Sequence, residues 1–122
     1  MARVNIPVQE LIVSNEFAPD ALKTALTTAI NAADGAEIVW GHRDEKMLVL
    51  IENAATSPKT VTVKAGNGIQ GCCDIAKEIA ASSYTFLALD SGRFKNVSGA
   101  DTGKVIITGA SADIKVAVFK LP

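Results

Sequence analysis

Lys104-Val105-Ile106-Ile107-Thr108 and Ile114-Lys115-Val116-Ala117-Val118-Phe119 are separated only by the five residues Gly109-Ala110-Ser111-Ala112-Asp113. Both runs are rich in β-branched side chains and read as strands. A parallel crossover needs about a dozen residues or more, so if these two strands pair directly they are antiparallel. Working outward, Lys46-Met47-Leu48-Val49-Leu50-Ile51-Glu52-Asn53 is a nearly continuous apolar run bounded by charges. That pattern belongs to a central strand covered on both faces. The turn-forming stretch Asn53-Ala54-Ala55-Thr56-Ser57-Pro58-Lys59 leads into the alternating Thr60-Val61-Thr62-Val63-Lys64, and the pair reads as a hairpin. Tyr84-Thr85-Phe86-Leu87-Ala88-Leu89 is a further strand, stopped by Asp90-Ser91-Gly92, and Ala36-Glu37-Ile38-Val39-Trp40-Gly41 a shorter one after the Asp34-Gly35 turn.

Seven or eight short strands with regular turn signals predict an all-β fold, a mainly antiparallel β-sandwich or small barrel, with room for one short N-terminal helix. The helix, if present, falls in the segment around residues 20–33. There Leu22, Ala25, Leu26, Ala29 and Ile30 recur at helical spacing, while Leu22, Leu26 and Ile30 also fit a strand with Thr24 and Thr28 between them. Residues 14–122 are expected to form a single β domain. Residues 1–13 are expected to be an extended arm or edge strand, because Pro7 cannot donate to a central ladder.

The chain of 122 residues is 48% hydrophobic and 20% charged, an ordinary globular composition with one core. Twelve bases against thirteen acids leave a net charge of −1, which supplies no field to hold nucleic acid or an anionic membrane. Residues 1–61 carry five bases and eight acids and residues 62–122 seven bases and five acids, an asymmetry able to orient packing between copies. The longest apolar run, Met47 to Ile51, is five residues, where a membrane helix needs about twenty. No secretory signal is legible at Met1-Ala2-Arg3-Val4-Asn5, so the expectation is a chain made and used without Sec export.

Candidate chemistry is sparse. Gly66-Asn67-Gly68-Ile69-Gln70-Gly71 matches the dinucleotide fingerprint G-x-G-x-x-G, with Asp90 nineteen positions beyond its last glycine. The connections that follow are too short for a doubly wound sheet, so the expected role is a mobile loop whose glycines satisfy positive φ angles or a bulge. Cys72 and Cys73 are adjacent, about 3.8 Å between Cα atoms against the 4.4–6.8 Å of ordinary disulfides. They are expected as free thiols, small half-buried residues on an irregular strand; a vicinal redox pair or a soft-metal site is the sharper alternative. His42 is the only histidine and sits in a charged bend with Asp44 and Glu45, where no nucleophile motif accompanies it. No enzyme activity, no cofactor and no metal are expected. Arg3, Ile6, Pro7, Val8, Trp40, Arg93 and Phe94 are the candidate interface residues, since aromatic anchors and apolar arms seat partners.

The order of features over residues 34–122 resembles the capsid decoration, or head cement, proteins of tailed phages. The matching pieces are Ala33-Asp34-Gly35 before a charged bend, the run Lys46 to Asn53 with its Ser-Pro turn, and Thr60-Val61-Thr62-Val63. They continue with a Gly-rich loop, Asp90-Ser91-Gly92-Arg93-Phe94-Lys95-Asn96, and the closing Val-Ala-Val-Phe-Lys-Leu strand. The resemblance implies a non-enzymatic virion protein, made in the host bacterial cytoplasm, that binds the outside of an assembled head and strengthens it. Its partners would be the major capsid protein and copies of itself, a trimer being natural at threefold positions, with no nucleic acid and no membrane. Residues 1–13 are then expected to reach a neighbouring subunit by strand addition. A tail-tube or head–tail joining subunit, or a carbohydrate-binding sandwich using Trp40 and Tyr84 as stacking platforms, are the alternatives.

Overall fold

Met47–Asn53 (β4) forms the middle of a sheet because both of its edges are paired and one whole face is apolar. Met47, Val49 and Ile51 point into the core with Asn53, while Leu50 on the opposite face is buried as well. The strand is antiparallel on one side to Ile114–Lys120 (β9), from Met47 opposite Lys120 to Asn53 opposite Ile114. On its other side it is antiparallel to Ser83–Leu87 (β7). The expectation of a central strand therefore holds, while its outer face is buried at Leu50 and only half-buried at Leu48 and Glu52. In this computed structural model residues 3–10, 29–109 and 111–121 are described, and the choice between helix and strand for residues 20–33 falls largely outside them.

Nine strands among the described residues form two sheets, an all-β architecture with no closed barrel. The first sheet has the order β1-β3-β8-β5-β6, from Val4–Asn5 (β1), Ala36–Val39 (β3), Lys104–Gly109 (β8), Lys59–Val63 (β5) and Ile75–Ile79 (β6). The second has the order β2-β9-β4-β7, with Val8–Glu10 (β2) at its edge. Between them lies one core of Ile38, Trp40, Val49, Ile51, Val61, Val63, Val105, Ile107, Ile114, Val116 and their neighbours, contributed by both inner faces.

Two sequence expectations are corrected here. The runs 46–53 and 60–64 are not a hairpin: β4 and β5 belong to opposite sheets, and residues 54–58 carry the chain across the core. The same is true of β8 and β9, so the conditional antiparallel pairing of the two closing strands does not arise, each pairing instead within its own sheet. The β4–β5 crossing is organised by Asn53, which is fully buried. Its Nδ2 donates to the carbonyls of Ser57 (3.0 Å), Ile79 (3.0 Å) and Ala80 (3.3 Å), and its Oδ1 accepts from the Ala55 N–H.

Among the described residues five of the seven strand pairings are antiparallel, and both parallel ones are made by the N-terminal segment. β1 lies beside β3 and β2 beside β9, so one segment edges both sheets of its own domain. Between these strands Ile6 enters the core and donates its N–H to the Glu37 carbonyl, while Pro7 is exposed where the chain changes sheets. Residues 4–5 and 8–10 are thus edge strands of their own chain's two sheets, one of the two forms expected of the N-terminal segment; residues 11–13 lie outside the described ones.

The expected Asp34-Gly35 turn is present. Asn31 accepts on its side chain from the N–H groups of Ala33 and Asp34, and Gly35 closes the turn at φ +81°. A Cβ on Gly35 would run into the Ile107 carbonyl oxygen, in a backbone region that L residues rarely adopt. Gly35→Ala is expected to cost about 1–3 kcal/mol, read as a lower urea midpoint with an unchanged slope.

Candidate interaction surface

The last residues of β3, β5 and β7 and the first of β4, β6 and β8 lie at one end of the sandwich, where the connecting segments 40–46, 64–74 and 88–103 meet. A short helix, Ser91–Phe94 (α1), stands among them. It starts at Asp90, whose side chain accepts from the Gly92 N–H at 2.9 Å, and it buries Phe94. The stretch 93–97 is therefore part helix and part loop.

The 64–74 segment is braced from both sides. Asp74 accepts from the Ala65 N–H at 2.7 Å and from Lys64 Nζ at 2.9 Å. Gly66 donates its N–H to the Arg93 carbonyl, Asn67 Nδ2 donates to the Ser98 carbonyl, and Asn67 Oδ1 accepts from the Val97 N–H. None of Gly66, Gly68 and Gly71 has positive φ, which corrects the expected reason for these glycines. Gly66 and Gly71 are required by close approach: a Cβ on Gly66 would meet the Lys95 carbonyl, and one on Gly71 the Gly66 carbonyl, whereas one on Gly68 would make only ordinary contact. The segment leads into strand β6, so there is no helix N-terminus for a pyrophosphate, and the G-x-G-x-x-G spacing has no dinucleotide geometry around it.

This bracing presents Ile69 fully to solvent and leaves Val97 largely exposed next to it in the fold, since Gly68 faces the Val97 methyls. Val39 at the end of β3 is also exposed, and Tyr84 and Phe86 project from the edge strand β7. The outward side of β1, β3 and β8 also carries charged residues. Glu37 accepts from Lys104 Nζ at 2.7 Å and from Arg3 Nε at 3.4 Å, and Arg3 Nη2 also pairs with Asp101. The Lys104 hydrogen bond, opposed by partial burial and helped by the Lys104 and Arg3 charges, holds the Glu37 carboxyl below its usual range.

The seven predicted interface residues divide. Ile6, Trp40 and Phe94 are core residues, at most 3% exposed, so their assignment to a surface is overturned. Large apolar side chains serve core and interface equally well, and here the core takes them. Trp40 Nε1 donates to Asp44 Oδ1 at 3.0 Å, and Asp44 Oδ2 accepts from the N–H and hydroxyl of Ser91. Burial pushes the Asp44 carboxyl up, but the hydrogen bonds from Trp40 and Ser91 and the Lys95 charge outweigh it and hold it below the usual range. Asp44 is accordingly a structural node, whereas Glu45 pairs with Arg43 in solvent. Pro7 is exposed, and Arg3, Val8 and Arg93 are half-buried. Ile69 was legible as a single apolar residue in a Gly-rich turn with no periodic partner. The exposure of Val97 depends on a pairing with Asn67 that no local pattern encodes.

Catalytic geometry is meagre. A shallow open groove of about 360 Å³ on the first sheet is lined by Ala32, Thr60, Thr62, Thr108 and Gly109, with no acid, base or cation among its described lining residues. His42 is exposed in its bend. Among the described residues no three His, Cys, Asp or Glu side chains converge as metal ligands, and no helix is long and apolar enough to cross a membrane. No protein-family model, no curated protein and no solved structure matches the chain.

Proposed function

We propose that this chain is a non-enzymatic structural protein of a phage virion, binding the outer surface of the assembled capsid and copies of itself in the coat and thereby stabilising the shell. The observation that carries the reading is the rigid presentation of Ile69 and Val97 at the loop end of the sandwich. Exposed apolar side chains held by backbone hydrogen bonds lose little conformational freedom on docking, which favours association. Contacts repeated over a symmetric shell then add through high effective concentration. The resemblance of residues 34–122 to capsid decoration proteins supplies the partner. The glycan-binding alternative loses one of its two stacking platforms, because Trp40 is buried with its N–H engaged.

The test is cosedimentation of the purified chain with empty heads of the phage's major capsid protein. Replacing both Ile69 and Val97 by aspartate is expected to reduce head occupancy at a fixed concentration by about tenfold or more, the loss of one modest hot spot. The melting temperature should stay near that of the parent, since both side chains face solvent. Full occupancy by the double variant, or no binding by the parent chain, rejects the reading.

A further inference from the structure

Cys72 and Cys73 are both exposed, not half-buried on an irregular strand as their spacing suggests, and they sit in the loop just before β6. Their sulfurs are 3.0 Å apart, and Arg93 Nη2 donates to Cys73 Sγ at 3.0 Å. Arg93 is held there independently of the thiols. Its N–H donates to the Asp90 carbonyl in α1, its own carbonyl accepts from the Gly66 N–H, and its guanidinium lies 4.9 Å over the buried Phe94 ring. Two sulfurs one residue apart therefore have unequal surroundings. Cys73 accepts directly from a guanidinium, whereas Cys72 bonds to Cys73 and feels Arg93 only through its charge.

We propose that Cys73 is a thiol-modification site that accepts a single mixed disulfide from a low-molecular-weight disulfide and retains it. The thiolate is the nucleophile in such exchange, and a neighbouring guanidinium and S–H donor favour it. Hydrogen bonds from Cys72 and then Arg93 hold the Cys73 thiol below its ordinary range, while the same sulfur–sulfur contact pushes Cys72 up. Cys72 thus stays protonated as the donor. In the step, the Cys73 thiolate attacks one sulfur of R–S–S–R and forms Cys73–S–S–R. The original S–S bond breaks, and its electron pair leaves on RS⁻, which takes a proton from water.

In most dithiol sites the second cysteine then attacks the mixed disulfide and expels the remaining thiol. Here that would require a bond between adjacent residues whose Cα atoms are about 3.8 Å apart, shorter than the roughly 4.4–6.8 Å a relaxed disulfide spans. The adduct on Cys73 consequently persists. This inference stands independently of the capsid reading and survives its failure.

Oxidised glutathione is a suitable probe. The reduced full chain, incubated with it and analysed by intact mass and peptide mapping, is expected to carry one glutathionyl group, on Cys73. Cys73→Ser should lower the rate of adduct formation at least ~10-fold, and Cys72→Ser should retain the adduct on Cys73. Arg93→Gln should slow the reaction and move the pH profile of iodoacetamide alkylation upward, with Arg93→Lys restoring part of the rate. Preferential labelling of Cys72, equal labelling of both cysteines, or conversion of the adduct into an internal disulfide with release of glutathione overturns the proposal.

Discussion

Replacing Trp40 by alanine is expected to lower the unfolding free energy by about 3–5 kcal/mol, the range for deleting a buried large aromatic side chain. A domain of this kind holds roughly 5–15 kcal/mol in all, so a large share of the folded state's margin goes with one residue. The indole is only 1% exposed and heads the largest fully buried side chains. It also donates to Asp44, which in turn accepts from Ser91 at the start of α1, so the variant leaves a carboxylate oxygen without its donor where 40–46 meets the helix. Trp40→Phe separates the two contributions. It keeps an aromatic ring in the core but removes the N–H and part of the ring volume, with an expected loss of about 1 kcal/mol for the hydrogen bond in addition to the cost of the smaller ring. Chemical denaturation followed by far-ultraviolet circular dichroism measures both variants without relying on tryptophan emission. A Trp40→Ala variant as stable as the parent but deficient in head binding would restore Trp40 to the surface.

Alternation shows which side of a strand faces inward, but not which sheet the strand joins. The alternation in 60–64 predicts a real strand with Val61 and Val63 inward, and the apolar run in 46–53 predicts a real strand without choosing between its faces, the structure turning Met47, Val49 and Ile51 to the core. In a sandwich both inner faces look at the same core, so an identical pattern serves a strand in either sheet. Loop length does not break the tie. Five residues can span about 16 Å, more than the roughly 10 Å between packed sheets, so a short connection fits an arch across the core as well as a hairpin within one sheet. That is why β4–β5 and β8–β9 read as neighbours in sequence and stand in opposite sheets.

The functional residues were legible in the same partial way. Adjacent cysteines are visible in any reading of 72–73, but the arginine that makes them unequal is twenty positions away and is brought in by α1. The glycines of 66–71 are conspicuous, yet Gly66 and Gly71 serve to let segment 64–74 pack against Lys95 and itself, a tertiary requirement with no signature of its own. Arg3 is half-buried, and its ion pairs with Glu37 and Asp101 join segments remote in sequence, which no local pattern encodes.

Substituting leucine for Asn53 is expected to cost about 2–4 kcal/mol although it exchanges a polar for an apolar side chain of similar size in a fully buried position. The reason is what remains behind. The Asn53 amide serves the carbonyls of Ser57, Ile79 and Ala80 and the N–H of Ala55, the groups that turn the chain from one sheet to the other. Ser57 and Ala80 lie at the surface and can turn to water, but the Ile79 carbonyl, on a residue only 3% exposed, loses its Asn53 partner. Asn53→Asp tests this assignment by its pH dependence. Aspartate keeps the acceptor facing Ala55 but points a second oxygen at three carbonyls, so burial and repulsion raise its folded pKa above the unfolded value of about 3.9. A raised acid binds its proton more tightly when folded, and stability falls as pH rises from the unfolded pKa through the folded one. The gap between Asn53→Asp and the parent should therefore be smallest below about pH 4 and widen toward neutrality. A gap that is constant with pH, or that narrows toward neutrality, would show that the side chain does not face those carbonyls.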